Sequence, residues 1–349
     1  MIDPFLLTKI LGFSALAFAV AVVWTPLLTH ILFKYKLGKQ IRAAESAPIF
    51  SKLHAGKAGT PTMGGILVWA TVLFISLVFL ALAKLAPDSV FAQLNFVTRE
   101  QTYLPLGILA LAALIGLVDD LLGIFKIGKN GGGLNMKHRL LLYTAVAAVG
   151  AYWFYYKLGW SAIHVPFYGD YEIGWWYIPI FLFVIVATSF SVNETDGLDG
   201  LAGGVLAIAF AAYIFVAVVE NKPELAIFCS VIVGALLAFL WFNIHPARFF
   251  MGDTGAMSLG VSLGVMAMLT NTMFFLPLFG FILVLESLSV IVQVTSKKLR
   301  GKKIFLSTPI HHHFEAIGWP ETKITMRFWI ISAVFAFVGI ALFVLERNI

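Results

Sequence analysis

The chain has 349 residues, of which 60% are hydrophobic and only 12% are charged, and its formal net charge is +6. Soluble domains carry about 25% charged residues, so this composition excludes a water-soluble globule and indicates an integral membrane protein. The single cysteine, Cys229, excludes an intrachain disulfide and metal sites built from several cysteines. No basic segment precedes the first apolar stretch, and we expect that stretch to be retained as a transmembrane helix.

Ten continuous apolar stretches follow one another along the chain. Their length and their lack of alternation predict transmembrane helices rather than barrel strands. The sequence therefore predicts an all-α integral membrane protein with ten transmembrane helices, organised as one polytopic domain over residues 1–349. The predicted spans lie near residues 5–33, 64–86, 103–122, 140–157, 177–192, 200–219, 225–243, 256–272, 274–295 and 328–345.

Basic residues are concentrated in every second loop, and 18 of the 24 lysines and arginines fall on one side of a ten-span chain. Because cytoplasmic loops are enriched in these residues, this side is predicted to be cytoplasmic and both termini extracytoplasmic. The basic residues on this side are Lys34, Lys36, Lys39, Arg42, Lys52, Lys57, Lys126, Lys129, Lys137, Arg139, Arg248, Lys297, Lys298, Arg300, Lys302, Lys303, Lys323 and Arg327.

Six of the 18 acidic residues cluster at the predicted cytoplasmic ends of spans. Acids near a bilayer are functional candidates, although each could instead cap a helix or lie in solvent. Aspartates are hard oxygen ligands, and Mg²⁺ takes one or two of them while leaving positions for phosphate. The sequence therefore predicts a magnesium and phosphate site at the cytoplasmic face. The six acids are Asp119, Asp120, Glu194, Asp196, Asp199 and Asp253.

Polar residues near the C-terminus add to this site. Three consecutive histidines, His311 to His313, supply donors whose charge changes near pH 7, although they could form a polar loop without a function. Glu286 and Gln293 share one face of the ninth span. They either contribute to the site or hydrogen-bond a neighbouring helix.

Five motifs follow one another over essentially the whole chain: Gly59-Thr-Pro-Thr-Met-Gly-Gly65, Asp119-Asp120, Asn193-Glu-Thr-Asp-Gly-Leu-Asp-Gly-Leu-Ala202, Met251-Gly-Asp-Thr-Gly255 and Pro309-Ile-His-His-His-Phe-Glu315. In these motifs the chain resembles the phospho-N-acetylmuramoyl-pentapeptide-transferase family, the bacterial MraY translocases. The wider superfamily of polyprenyl-phosphate N-acetylhexosamine-1-phosphate transferases shares the acidic motifs. The triple histidine and the Pro-Thr-Met-Gly-Gly string point to the muramoyl-pentapeptide branch.

The resemblance implies Mg²⁺-dependent transfer of phospho-MurNAc-pentapeptide from UDP-MurNAc-pentapeptide to undecaprenyl phosphate. The products are lipid I and UMP, in the first membrane step of peptidoglycan synthesis. The resemblance also implies a multi-pass homodimer in the bilayer of the bacterial cytoplasmic membrane, without a nucleic-acid partner. By position, Asp119, Asp120 and Asp253 would bind the metal and, with His312, form the catalytic group. The positions implied to bind substrate are Lys57, Thr62, Asn193, Asp196, Asp199, Asn243, Phe250, Gln293, His311 and His313.

The chain departs from the family pattern at three positions. Gly123 stands where a lysine is usual, Glu194 where a leucine is usual, and Phe190 where an asparagine is common. Two other classes of function stay open. A sister enzyme that transfers GlcNAc-1-phosphate would keep the carboxylates but usually lacks three consecutive histidines. A transporter should carry its acids near the bilayer midplane rather than at the ends of spans. Direct attack by the lipid phosphate and a phospho-enzyme on an aspartate both fit the motifs.

Overall fold

The computed structural model describes residues 3–38, 55–57, 59–99, 101–128 and 133–347. Four basic residues of the predicted cytoplasmic side, Lys39, Arg42, Lys52 and Lys129, lie outside these ranges. The described part is mostly helical, as predicted. Its α-helices are α1 (Pro4–Lys34), α2 (Ile66–Leu85), α3 (Val90–Leu94), α4 (Tyr103–Ile124), α5 (Met136–Tyr152), α6 (Tyr177–Thr195), α7 (Leu201–Val219), α8 (Pro223–Asn243), α9 (Gly252–Leu269), α10 (Leu276–Phe279), α11 (Phe281–Arg300), α12 (Ile310–Ala316) and α13 (Glu321–Arg347).

Eight helices of the described residues are long and apolar enough to cross a membrane, namely α1, α2, α4, α6, α7, α8, α9 and α13. This finding confirms a multi-span helical membrane protein. The other two predicted spans are also helical, but α5 has 17 residues and α11 has a largely polar buried face. The count of ten spans and the location of the termini remain predictions.

The central helix of the bundle is α9, and nearly all of its side chains are buried. It packs along α4 and α6, where glycines allow the backbones to approach closely. A Cβ atom on Gly116 of α4 would lie 2.4 Å from the backbone oxygen of Asp253. A Cβ atom on Gly260 of α9 would lie 2.8 Å from the Cα atom of Ser189 in α6. This packing brings the ends of α4, α6 and α9 together at one end of the bundle, called here the aspartate end.

The last helix, α13, packs against α7 and fixes the loop before it. Thr325 Oγ1 donates a hydrogen bond to the backbone oxygen of Asp199 at 3.1 Å. Trp329 Nε1 donates to the backbone oxygen of Gly200 at the same distance. These bonds satisfy carbonyl groups that precede α7, so the loop that carries Asp199 has a defined position.

Several helix boundaries differ from the sequence prediction, and the last helix, α13, begins at Glu321 rather than near residue 328. The predicted span 274–295 is divided at Gly280 into α10 and α11, and α9 begins at Gly252 rather than near residue 256. The earlier start places Asp253 in the first turn of α9, because a carboxylate from α4 accepts the first N–H groups of the helix, as described below.

A short β-hairpin interrupts the helical structure at the opposite end of the bundle, called here the hairpin end. Strands Ala162–Val165 and Gly169–Glu172 pair antiparallel, with Ala162 opposite Glu172. The sequence analysis did not predict these strands, because four residues are too few to show a clear alternation. The N–H group of His164 donates to Asn271 Oδ1 at 3.0 Å, which attaches the hairpin to the segment after α9.

An ionic network connects the hairpin to the end of α13. The His164 ring lies 2.6 Å from Asp170 Oδ1 and also contacts Glu346 Oε1, and Arg347 pairs with Glu220. Burial opposes the charge of His164, but its hydrogen bonds to Glu346 and Asp170 outweigh burial and raise its pKa above the usual 6.5.

Candidate active site

Two aspartates and one arginine form a charge cluster at the aspartate end. Asp119 is buried near the end of α4, and Asp253 lies in the first turn of α9. The guanidinium group of Arg139, from α5, joins them. Its Nε atom lies 2.7 Å from Asp119 Oδ2, and its Nη2 atom lies 2.8 Å from Asp253 Oδ2. The N–H group of Leu134 donates to Asp119 Oδ1 at 2.6 Å. Two carboxylates therefore converge on one cation, which offsets their mutual repulsion.

Asn193, in the last part of α6, extends this cluster. Its Nδ2 atom donates to Asp253 Oδ1, and its Oδ1 atom accepts from Arg139 Nη1 at 3.2 Å. Asp253 is thus held by donors from two helices, α5 and α6. The structure brings together the predicted residues Asp119, Asp253 and Asn193, with Arg139 at their centre.

Asp120 has contacts that differ from those of its neighbour Asp119. Its carboxylate oxygens accept from the N–H groups of Asp253 at 3.1 Å and Thr254 at 2.9 Å. Asp120 therefore caps the N-terminus of α9, where N–H groups have no partner within the helix. The sequence left open whether Asp253 caps its own helix, and the described cap comes from α4 instead. A role of Asp120 as a metal ligand stays a prediction.

The first residue of α9, Gly252, lies beside Thr62 and Asp196 in the same region. Gly252 has a φ of +75°, and a Cβ atom there would lie 2.7 Å from both Asp120 Oδ2 and Thr62 Oγ1. Only glycine fits this backbone without strain. The N–H group of Gly252 donates to Asp196 Oδ2 at 3.1 Å. The Thr62 hydroxyl is buried and has no hydrogen-bond partner among the described residues.

A second charge cluster surrounds Lys57. Its Nζ atom lies 2.7 Å from Asp199 Oδ1 and contacts Glu321 Oε1, in the first residue of α13. Glu321 Oε1 also accepts from the N–H group of Asp199 at 2.6 Å. His245 Nδ1 lies 2.9 Å from Asp199 Oδ2. The Phe250 ring centre is 5.7 Å from Lys57 Nζ. Four separate segments of the chain meet at this cluster.

The charge of Asp199 is stabilised by these neighbours. Burial raises the pKa of the Asp199 carboxyl, but Lys57, the Ala247 N–H group and His245 outweigh burial and hold the pKa below its usual range. Ligand atoms of Asp199, His245 and Glu321 lie within 4.8 Å of one another, a spacing that suits a cation. The Lys57 ammonium already contacts two of these carboxylates, so the chain itself supplies positive charge there.

Asn243 fixes the two loops that carry Asp199 and Phe250. Its Oδ1 atom accepts from the Gly200 N–H group at 3.0 Å, and its Nδ2 atom donates to the Phe249 oxygen at 2.8 Å. The N–H group of Phe250 donates to the Pro61 oxygen at 2.8 Å, which places the ring beside the segment after Lys57. The predicted residue Asn243 therefore holds the site loops in place within the described structure.

The three histidines have three different partners. His311 Nδ1 lies 3.0 Å from Glu286 Oε2, and both side chains are fully buried. His312 Nδ1 lies 2.6 Å from Glu315 Oε2. The His311 ring also packs on the loop between Asp196 and Asp199, where a Cβ atom on Gly197 would lie 2.2 Å from His311 Nε2. This contact joins the histidine segment to the acidic motif.

Gln293 and His313 both contact the loop at residues 304–306 rather than the carboxylates. Gln293 Oε1 accepts from the N–H groups of Ile304 at 2.9 Å and Phe305 at 3.1 Å, and its Nε2 atom donates to the Phe305 oxygen at 2.8 Å. His313 Nδ1 accepts from the Leu306 N–H group at 3.2 Å. Of the two roles left open by the sequence, Glu286 contacts His311 of the neighbouring helix α12. Gln293 instead bonds to the loop that follows its own helix.

Three residues of the two clusters were missed by the sequence analysis. Arg139 was counted only among the basic residues that indicate topology, and His245 and Glu321 were not considered. The available signals were weak: Arg139 is one of four basic residues in a predicted loop, and Glu321 follows a proline at a helix start. Gly123 and Glu194, two departures from the family pattern, lie at the ends of α4 and α6 beside the first cluster.

Known proteins resemble this chain over nearly its whole length. Residues 103–271 match the profile of glycosyl transferase family 4, and residues 57–67 match phospho-N-acetylmuramoyl-pentapeptide-transferase signature 1. The latter segment contributes both Lys57 and Thr62 to the site.

Relatives named phospho-N-acetylmuramoyl-pentapeptide-transferase come from several bacteria. The protein of Geobacillus sp. (strain WCH70) is 39% identical over 93% of this chain and 95% of its own length. That of Clostridium perfringens (strain 13 / Type A) is 39% identical over 98% and 99%. That of Chloroflexus aggregans is 36% identical over 96% and 90%. The eight apolar helices and these relatives indicate a multi-pass protein of the bacterial inner membrane. The chain belongs to the phospho-N-acetylmuramoyl-pentapeptide-transferase family of membrane enzymes.

Proposed function

We propose that the protein transfers phospho-MurNAc-pentapeptide from UDP-MurNAc-pentapeptide to undecaprenyl phosphate in a Mg²⁺-dependent reaction that gives lipid I and UMP. The observation that carries this proposal is the convergence of Asp119 and Asp253 on the Arg139 guanidinium. Such a cluster supplies both the anionic ligands for a metal and a cation for a phosphate. It lies where helix ends meet, so a soluble donor and a membrane lipid can reach the same place.

The donor set of this cluster fits Mg²⁺. Asp119 and Asp253 offer hard carboxylate oxygens from two packed helices, and the buried Thr62 hydroxyl beside Gly252 has no partner among the described residues. Asp119 and Asp253 would hold the ion, and Asp120 would keep Asp253 in position by capping α9. When bound, Mg²⁺ would neutralise charge on the diphosphate.

The Lys57 cluster is proposed to bind the nucleotide part of the donor. Lys57 provides an ammonium group, Phe250 an aromatic face and Asp199 a hydrogen-bond acceptor that stays ionised. Asn243 and Asp196 keep the surrounding loops in place. These groups suit a uridine ring and its phosphates, which combine a flat base with negative charge. His311, His312 and His313 would complete the polar wall on the side of α12.

The acceptor is proposed to attack directly. An oxygen of the undecaprenyl phosphate forms a bond to the phosphorus attached to the sugar, the bond from that phosphorus to the bridging oxygen breaks, and UMP leaves. A phosphate monoester has a second pKa of about 6, so its oxygen is largely ionised at neutral pH without a general base. The chain's task is therefore to neutralise charge and align the reactants, for which Arg139 and Asn193 are positioned.

The site is proposed to face the cytoplasm, with both termini outside and two copies forming a homodimer. The concentration of basic residues in every second loop supports this orientation. The donor is a soluble nucleotide, which also requires the site to open toward the cytoplasm.

The test is UMP release by the purified protein with undecaprenyl phosphate and Mg²⁺, comparing UDP-MurNAc-pentapeptide with UDP-GlcNAc. Release with the pentapeptide donor alone is expected. Release with UDP-GlcNAc alone would refute the donor assignment and place the enzyme with the sister transferases. No release with either donor, from protein shown to be folded, would refute the proposed reaction.

A further inference from the structure

We propose that a basic surface at the end of α11 binds the headgroups of anionic phospholipids in the surrounding bilayer. Five cationic side chains within seven positions form this α11 basic surface, and all five are exposed. None of them forms an ion pair with any residue that the structure describes. The surface consists of Lys297, Lys298, Arg300, Lys302 and Lys303.

Helix α11, which carries this surface, is amphipathic, but its polar side chains are buried and its apolar side chains are exposed. The face that packs on the protein is largely polar, whereas the opposite face exposes apolar side chains along the helix. Exposed apolar groups over this length favour a lipid environment rather than water. The buried polar residues are Glu286, Ser287, Ser289, Gln293 and Ser296. The exposed apolar residues are Leu288, Ile291, Val292, Val294 and Leu299.

The polar face of α11 also folds the following loop back onto the helix. Ser296 Oγ donates to the Lys302 oxygen at 2.9 Å, and Gln293 accepts from the Ile304 N–H group at 2.9 Å. This loop conformation places Lys302 and Lys303 beside the basic end of α11. The exposed side chains of Ile304 and Leu306 follow immediately. Cations and apolar groups therefore share one surface, as expected for a segment at the depth of lipid headgroups.

Charge complementarity selects the occupant of this surface. The cations of the active site, Lys57 and Arg139, are each paired with two carboxylates. The five cations of the α11 basic surface have no such partner among the described residues. A negatively charged membrane surface strengthens binding about fivefold for each basic side chain near it. Phosphatidylglycerol in the same leaflet supplies this charge, independently of the acceptor lipid.

The experiment titrates the purified full chain in detergent with phosphatidylglycerol or phosphatidylcholine and measures lipid binding by native mass spectrometry, without polyprenyl phosphate. The wild type is expected to prefer phosphatidylglycerol, and added salt should weaken that preference. The variant Lys298→Gln/Lys302→Gln/Lys303→Gln should lose at least about fivefold in affinity for phosphatidylglycerol. Its affinity for phosphatidylcholine should not change.

The matched control removes three exposed cations elsewhere, in Lys84→Gln/Arg99→Gln/Lys157→Gln. It should retain the wild-type preference. Equal losses in both variants, or no preference in the wild type, would overturn the proposal. If the α11 variant weakens binding of a polyprenyl phosphate but not of phosphatidylglycerol, the surface belongs to the acceptor and the proposal is wrong. If the triple variant does not fold, the double variant Lys302→Gln/Lys303→Gln takes its place, and an unchanged affinity of this variant for phosphatidylglycerol would overturn the proposal.

Discussion

Replacing Glu321 by glutamine tests whether the start of α13 positions the Lys57 cluster. The glutamate contacts the Lys57 ammonium and accepts the Asp199 N–H group at 2.6 Å. Both donors share Glu321 Oε1, so the amide oxygen of glutamine keeps their acceptor, but the substitution removes the negative charge. Neither Lys57 nor Glu321 touches the reacting phosphorus in the proposed mechanism. We therefore expect KM for the donor to rise while kcat stays close to that of the wild type.

The burial of the ion pair sets the expected magnitude. The Lys57 side chain is 20% exposed and that of Glu321 is 12% exposed, so the pair lies between a surface pair and a fully buried pair. Surface pairs contribute up to about 1 kcal/mol, and breaking a buried pair costs about 3–5 kcal/mol. Lys57 retains Asp199 as a partner, which favours the lower part of this interval. If about 1.5 kcal/mol of the free energy of donor binding is lost, donor KM rises about tenfold.

The assay is UMP release at saturating acceptor over a range of donor concentrations, together with the melting temperature in detergent. Glu220→Gln is the matched control, because Glu220 pairs with Arg347 at the hairpin end. The control should leave KM unchanged even if both variants melt at a lower temperature. An unchanged donor KM in Glu321→Gln would refute a positioning role. So would strictly additive effects of Glu321→Gln and Lys57→Gln in the double variant.

Asp253→Asn should abolish UMP release while the protein remains folded, because an amide leaves the Arg139 guanidinium without one of its two anions; near-normal release would exclude Asp253 from the reacting centre. Gly197→Ala should lower the free energy of unfolding by about 1–3 kcal/mol and reduce activity, because its Cβ atom would overlap the His311 ring; wild-type melting and activity would contradict this packing. His164→Gln should destabilise the protein most at low pH. The pKa of His164 is raised on folding, so its contribution is complete below about 6.5 and is lost as pH rises above the raised value. Melting temperatures of wild type and variant should therefore converge at alkaline pH, and a constant difference would count against the ionic network.

The sequence was sufficient for features that are local along the chain. Length and apolarity determine whether a helix can cross a bilayer, and eight of the ten predicted spans meet both conditions in the described residues. The positions of Asp119 and Asp253 at helix ends also follow from the sequence, because the ends of apolar stretches can be located without tertiary structure. We expected Asp119 and Asp253 to lie close together only because both helix ends are on the predicted cytoplasmic side of the membrane.

Contacts between distant segments could not be predicted in this way. Lys57 and Glu321 are 264 positions apart, and nothing in either local sequence indicates the other. Adjacent residues of a helix point about 100° apart, so Asp119 contacts Arg139 whereas Asp120 caps α9. A pattern of two acids cannot reveal that they have separate partners.

The position of Arg139 has a consequence for the order in which ligands bind. In the proposed site, Asp119 and Asp253 would hold a divalent cation through carboxylate oxygens that now contact the Arg139 guanidinium, so the two cations would compete. The diphosphate of the nucleotide would offer the Arg139 guanidinium another pair of anionic oxygens. Bound nucleotide would therefore lower the free energy needed to separate Arg139 from Asp119 and Asp253. Metal and nucleotide should therefore bind with positive cooperativity. Because such coupling is reciprocal, each ligand should raise the affinity for the other by the same factor.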